Sequence, residues 1–172
     1  MLRLFHVSDR ANIERFDPRP ALNNPVEYGD VVWAVDEKHL PNYLLPRGCP
    51  RICFAASNAT TERDRVRFLE HSTASRVIAI EWDWLEIVRA TTLYLYELPP
   101  RNFQLQDDNA GYYVSQTSVE PSSIRAISDL LLELWKSDVE LRLIPRLWEL
   151  HDVIAKSSLE FSMIRMRNAK PR

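Results

Sequence analysis

The sequence predicts an α+β fold, with a mixed or antiparallel β core in the first two thirds and a helical last third. Three observations carry this. Strand-like runs recur from Leu2 to Ser115. Apolar residues then fall at helical spacing, at Ile124, Ile127, Leu131, Leu134 and Trp135. The two kinds of segment are grouped along the chain and do not alternate as βαβ units do. A length of 172 residues fits a single domain over 1–172 with a substantial core.

The elements follow in order. Leu2, Leu4, His6 and Ser8 alternate with Arg3, Phe5 and Val7, which is the period of a strand with Leu4 and His6 on one face and Phe5 on the other. Asp17-Pro18-Arg19-Pro20 and Asn23-Asn24-Pro25 read as loop. Gly29-Asp30 releases the apolar run Val31–Val35, a buried strand. Asp36 is a natural N-cap for a helix from about Glu37 to Leu44, which Pro41 limits to its first turn or shifts. Arg51–Ala56, Arg76–Ile80 and Leu93–Tyr96 are further strands. Asn109-Ala110-Gly111 is a turn before Tyr112–Ser115, and the polar stretch Ser57–Asp64 reads as the most mobile loop. Residues 122–137 form an amphipathic helix, and Pro145 opens another whose core face includes Leu147, Leu150 and Ile154.

Composition excludes several functions. Net charge is −2, so no overall field favours nucleic acid or anionic lipid. The basic residues Arg165, Arg167, Lys170 and Arg172 read as a solvated, fraying tail. With only three glycines the chain has no GxGxxG and no GxxxxGK[ST] phosphate loop. The N-terminus lacks the pattern of a signal peptide, and no apolar run approaches the roughly 20 residues that span a bilayer. A cytoplasmic protein with Cys49 and Cys53 as reduced thiols is the expectation.

Several candidate chemistries are weak on the residues alone. Cys49, Cys53 and His39 lack the further ligand pair that a structural zinc site needs, so no metal is expected. Glu81-Trp82-Asp83-Trp84 offers two carboxylates beside aromatics, but reads more simply as a strand end turning into solvent. Ser8 and His6 are too rigidly spaced on one strand for a nucleophile and its base, and no GxSxG elbow exists. Trp135, Leu143, Trp148 and Met163 are candidates for an apolar partner surface, a homodimer included, or for core.

Two resemblances add to this reading. The opening Leu4-Phe5-His6-Val7-Ser8, the segment Val32–Asp36 and Leu40–Arg47 are similar, nearly end to end, to a family of small uncharacterised bacterial proteins, which brings no activity. More remotely, Phe5-His6-Val7-Ser8 resembles the His-Gly-Ser/Thr string of ADP-ribosyltransferase-like folds, with Val7 where that family usually has glycine. Trp33-Ala34 followed by Asn42-Tyr43, and Tyr112–Ser115 running into Glu120, resemble its later motifs.

That resemblance implies NAD, or a related ribonucleotide, as substrate. His6 would orient the ribose, and Ser8 and Tyr43 would hold nicotinamide. Trp33, Tyr112 and Ser115 would complete the binding set, with Glu120 (or Glu140 in its place) as the catalytic carboxylate that stabilises an oxocarbenium-like cation. The alternative is a module of the same fold that binds a ligand or a protein without chemistry, as monomer or homodimer.

Overall fold

A computed structural model describes residues 1–20 and 29–172; the expected Asn23-Asn24-Pro25 loop lies outside them. The fold is α+β, and its contacts group into two compact units, each with its own sheet.

The first unit comprises Met1–Tyr43 and Thr92–Ile127. Its six strands are β1 (Leu4–Ser8), β2 (Val32–Asp36), β5 (Leu93–Leu98), β6 (Gln104–Asp107), β7 (Tyr112–Ser115) and β8 (Ser123–Ile127), ordered β6-β7-β2-β1-β5-β8. Every neighbouring pair is antiparallel. Alternation on β1 is as expected: Leu4 joins Val32, Ala34, Tyr96 and Leu98 in a core that Phe16 and Val119 cover, while Phe5 turns to the opposite face. Tyr96 pins the covering segment, since its hydroxyl donates to the Arg10 carbonyl at 2.8 Å and accepts from the Ile13 amide at 3.0 Å.

The second unit comprises Leu44–Thr91 and Ser128–Arg172. Strands β3 (Arg51–Ala55), β4 (Arg76–Glu81), β9 (Val139–Ile144) and β10 (Glu160–Ile164) form a sheet in the order β10-β3-β4-β9, with β4 and β9 parallel. Both β3 and β4 are buried along their whole length, which is why they read as continuous apolar runs without alternation. Ile52, Phe54, Val77 and Ala79 pack with Phe68 of helix α1 (Glu62–Leu69) and with Leu147 and Ile154 around helix α4 (Trp148–Ile154). Helices α2 (Leu85–Ala90) and α3 (Leu130–Lys136) complete the unit.

Several expectations are corrected. The last third is not helical throughout: α3 and α4 alternate with β8, β9 and β10. The helix expected over 122–137 is confined to α3, because Asp129 caps it, accepting from the Leu132 amide at 2.9 Å. Residues 123–127 instead bond their backbone to β5, with Ile127 opposite Leu93. The helix expected from Pro145 exists as α4, with Leu147 and Ile154 buried as read.

The helix expected over 37–44 is only a 3-10 turn, Leu40–Tyr43, led in by the Asp36 carboxylate accepting the His39 amide at 2.8 Å. Residues 57–64 are folded: the Ser57 amide donates to Thr60 Oγ1, and Thr61 caps α1 by accepting from the Asp64 amide.

The C-terminal residues are docked, not frayed. Lys170 donates its amide to the buried Glu81 carboxylate, and Arg172 makes a bidentate pair with Asp152 at 2.8 and 2.9 Å. That guanidinium, with His151 beside it, holds the Asp152 carboxyl well below the usual carboxylate range. Glu81 and Asp83 are thereby separated: Glu81 ends β4 in the core, whereas Asp83 is exposed and meets the Lys170 ammonium at 2.6 Å. Of the proposed partner surface, Trp135 and Leu143 are exposed, while Met163 packs on the core and Trp148 donates its indole N–H to the Lys170 carbonyl at 2.7 Å.

Candidate ligand site

All seven residues assigned to a site by resemblance, leaving Glu140 aside, fall in the first unit. Residues paired across a ladder share a face, and successive residues alternate. His6 stands opposite Tyr96 and Ser8 opposite Tyr94, and the Leu4–Asp36 pair puts Ala34 and Val32 on this same face, with Ser115 opposite Val32. Trp33 and Tyr112 have the other parity and take the other face, with Phe5 and Val35. The strand pairing therefore divides the set between the two sides of one sheet.

On the first side the polar groups are tied down. Among the described residues the β1–β2 ladder has two pairs, Leu4–Asp36 and Phe5–Val35, whereas β1 pairs with β5 along five residues. Where β1 and β2 cease to pair, the His6 ring turns to the backbone, with Nδ1 2.9 Å from the Trp33 carbonyl oxygen. The Phe16 ring lies against it at 4.7 Å, centroid to centroid. Ser8 Oγ accepts the Arg10 amide at 3.1 Å. Ser115 is buried and its hydroxyl is spent within its own turn on Thr117. Glu120 is exposed, one residue beyond Val119, which exchanges two backbone hydrogen bonds with Phe16 at 2.8 and 2.9 Å. Glu140 belongs to the second unit, on β9, where it accepts from Arg142 Nε at 2.6 Å.

On the other side three aromatic rings assemble. Trp33 meets Tyr112 edge to face, with centroids 5.5 Å apart and planes at 76°. Tyr43 lies 5.8 Å from Tyr112, and its hydroxyl donates to the Tyr112 hydroxyl at 2.5 Å. All three rings are half-buried, so each keeps part of its surface in water.

A second group fixes this assembly, and sequence reasoning missed it. The Asp36 carboxylate takes both the His39 amide and His39 Nδ1, each at 2.8 Å, and the Asp36 amide donates to the Gly111 carbonyl at 3.0 Å. His39 is buried, and Gly111 packs directly against its ring. The turn that carries Tyr43 is thus hung from the turn that delivers Tyr112. The one signal in the sequence was Asp36 itself, whose capping role holds although its helix does not form.

Cys49 and Cys53 are buried free thiols of the second unit. Burial pushes the Cys49 thiol up to about 12 and the Cys53 thiol up to about 11. Because the thiolate is the reactive form, both should resist a disulfide reagent such as DTNB in the native protein at pH 8 and react fully once it is unfolded. Rapid reaction of either thiol without unfolding would contradict this. Among the described residues no group of three or more His, Cys, Asp or Glu could hold a metal ion, and no helix is long and apolar enough to cross a membrane.

Compared with known proteins, residues 5–169 match the profile described as "Family of unknown function (DUF6886)". No curated protein and no solved structure matches the chain.

Proposed function

We propose, for a chain that belongs to the family of unknown function DUF6886, that its first unit is a non-catalytic binding module for a flat aromatic ring, such as the nicotinamide or base of a nucleotide. The observation that carries this is the fixed trio of half-buried rings, Trp33, Tyr43 and Tyr112. Aromatic side chains held on strands and a short turn present apolar ring faces at little entropic cost, and the paired tyrosine hydroxyls add a polar edge. The groups that ribose chemistry would require do not support catalysis here. His6 is engaged with the Trp33 carbonyl under the Phe16 ring, and Ser115 with Thr117.

A second reading keeps the enzyme: an ADP-ribosyltransferase-like fold cleaving or transferring at the ribose of NAD, with His6 and Glu120 as its reacting pair. One observation favours it. The Phe16–Val119 pairing draws the Glu120 segment toward the ring that packs on His6.

Saturation-transfer NMR with NAD, nicotinamide and ADP-ribose separates the two. The binding module predicts transfer to the nicotinamide ring, with affinity about 10-fold or more weaker in Tyr43→Ala and Trp33→Ala, since one stacking contact is worth ~1–3 kcal/mol. His6→Ala, on the opposite face, should bind as wild type does. Loss of binding in His6→Ala with Tyr43→Ala unaffected would sink the module. Release of nicotinamide from NAD, abolished by Glu120→Gln, would establish the enzyme.

A further inference from the structure

A groove in the second unit has no part in the reading above. It encloses about 480 Å³ and is lined by Thr61, Arg63, Asp64, Arg67, Val153, Lys156 and Ser157. That is the volume of an ordinary small-ligand cleft. Three of the lining residues are cations and one is a carboxylate, in a chain whose net charge is −2.

The disposition of these charges gives the groove its character. Asp64 is withdrawn into structure: its Oδ2 accepts the Ser158 amide and the Ser158 hydroxyl, both at 2.7 Å. The lining hydroxyls are spent as well, Thr61 on the Asp64 amide and Ser157 on the Ile154 carbonyl. Arg63 and Arg67 stand four apart on α1, hence on one helical face, and Lys156 follows α4. Among the described residues no ion pair neutralises Arg63, Arg67 or Lys156, whereas Arg65, on another side of α1, is matched by Glu62 at 3.8 Å. Arg67 lies over the Phe68 ring, 4.9 Å from its centroid, and Arg63 acts on Asp64 through its field, but neither contact cancels their charge; a concave wall concentrates the field of the three cations.

We infer that this groove binds a phosphoryl group of a small molecule, gripped by Arg63, Arg67 and Lys156. Arginine forks suit the tetrahedral oxygens of phosphate, and lysine adds a point charge. The Val153 side chain leaves an apolar strip on the wall for the remainder of the ligand. A soluble phosphorylated metabolite and a lipid headgroup share this chemistry.

Calorimetric titration with inorganic tripolyphosphate tests the site, and flotation with phosphatidylcholine vesicles carrying phosphatidic acid tests the lipid source. The wild type should bind one tripolyphosphate. Arg63→Ala/Lys156→Ala should weaken that by about tenfold or more, since each lost grip is a charge-assisted bond. Arg101→Ala/Lys136→Ala, which removes as much charge elsewhere, should leave it unchanged. These are exposed residues, so unchanged circular dichroism and melting are expected of both variants. Vesicle binding lost in the groove variant would assign the headgroup as source, and tripolyphosphate binding alone would assign the soluble one. The inference is overturned if the wild type binds neither, if the groove variant binds as tightly, or if both variants lose affinity equally. The ring-binding reading stands or falls separately, because Tyr43→Ala should leave tripolyphosphate binding intact.

Discussion

Gly111→Ala is expected to destabilise the protein by about 3 kcal/mol, whereas Gly29→Ala costs only about 1 kcal/mol. Both glycines have positive φ, +65° and +72°, so both substitutions bear the left-handed backbone strain of a residue with a Cβ. They differ in what the new methyl meets. At Gly29 nothing lies within 4 Å. At Gly111 the methyl would come within 2.2 Å of His39 Nδ1 and 2.8 Å of Asp36 Oδ1. The buried imidazole has nowhere to go without giving up its 2.8 Å bond to Asp36.

Thermal melts measure the difference directly. A protein of this size loses about 2–4 °C per kcal/mol, so shifts of about 6–12 °C against 2–4 °C are expected. Equal shifts would mean that backbone strain alone acts and that the contact with His39 carries nothing. The same substitution displaces the turn that hangs Tyr43 against Tyr112, so any Gly111→Ala protein that folds should also bind the ring ligand poorly.

This dependence explains what the sequence could and could not reveal. β1, β2, β5 and β7 were legible because each is a short run with its own period or apolar density, bounded by turn residues. Asn109-Ala110-Gly111 was legible as a turn for the same local reason. The Asp36–His39 couple was not, since its third member, Gly111, is brought there only by the β2–β7 pairing.

Helix α1 was hidden by its own composition: of Glu62–Leu69 only Phe68 is buried, so no apolar stripe announces it, although Thr61 and Asp64 carry a capping signature. Around Ile124 and Ile127 the spacing of three reads as helical, but pairing with β5 at the edge of the first sheet overrode it, leaving Ile124 exposed and Ile127 buried on opposite faces of β8. Strand β9 alternates Val139, Leu141 and Leu143 with polar residues, a readable period that the neighbouring helical spacing obscured. For the candidate site, residue types were legible and facing was not. Alternation along β1 was plain, but the relative parity of His6 and Trp33 depends on the register between two strands, which long-range pairing sets.

Glu81→Ala should destabilise the protein by about 3 kcal/mol, as much as truncating a core side chain, with the melting point lower by about 6–12 °C. The Glu81 side chain is buried at the end of β4, and its carboxylate accepts the Lys170 amide on both oxygens at 3.1 Å and the Leu147 amide at 3.4 Å. Truncation leaves two backbone donors without an acceptor, one at the entry to α4 and one in the C-terminal segment. Such orphaned donors cost ~1–3 kcal/mol each.

The surface ion pairs of the same segment are a different matter. Lys170 with Asp83 lies at the surface, and such pairs contribute at most ~1 kcal/mol, so Asp83→Asn should move the melt by no more than about 2–4 °C. Glu81→Gln keeps a single carbonyl acceptor and should fall between. Hydrogen exchange at the Lys170 amide reads the mechanism itself: protection should vanish in Glu81→Ala and survive in Asp83→Asn. If the amide exchanges equally fast in all the variants and in the wild type, the docked tail is not held by Glu81. The segment is then held by the apolar packing of Met166 and Ala169 on the core of the unit.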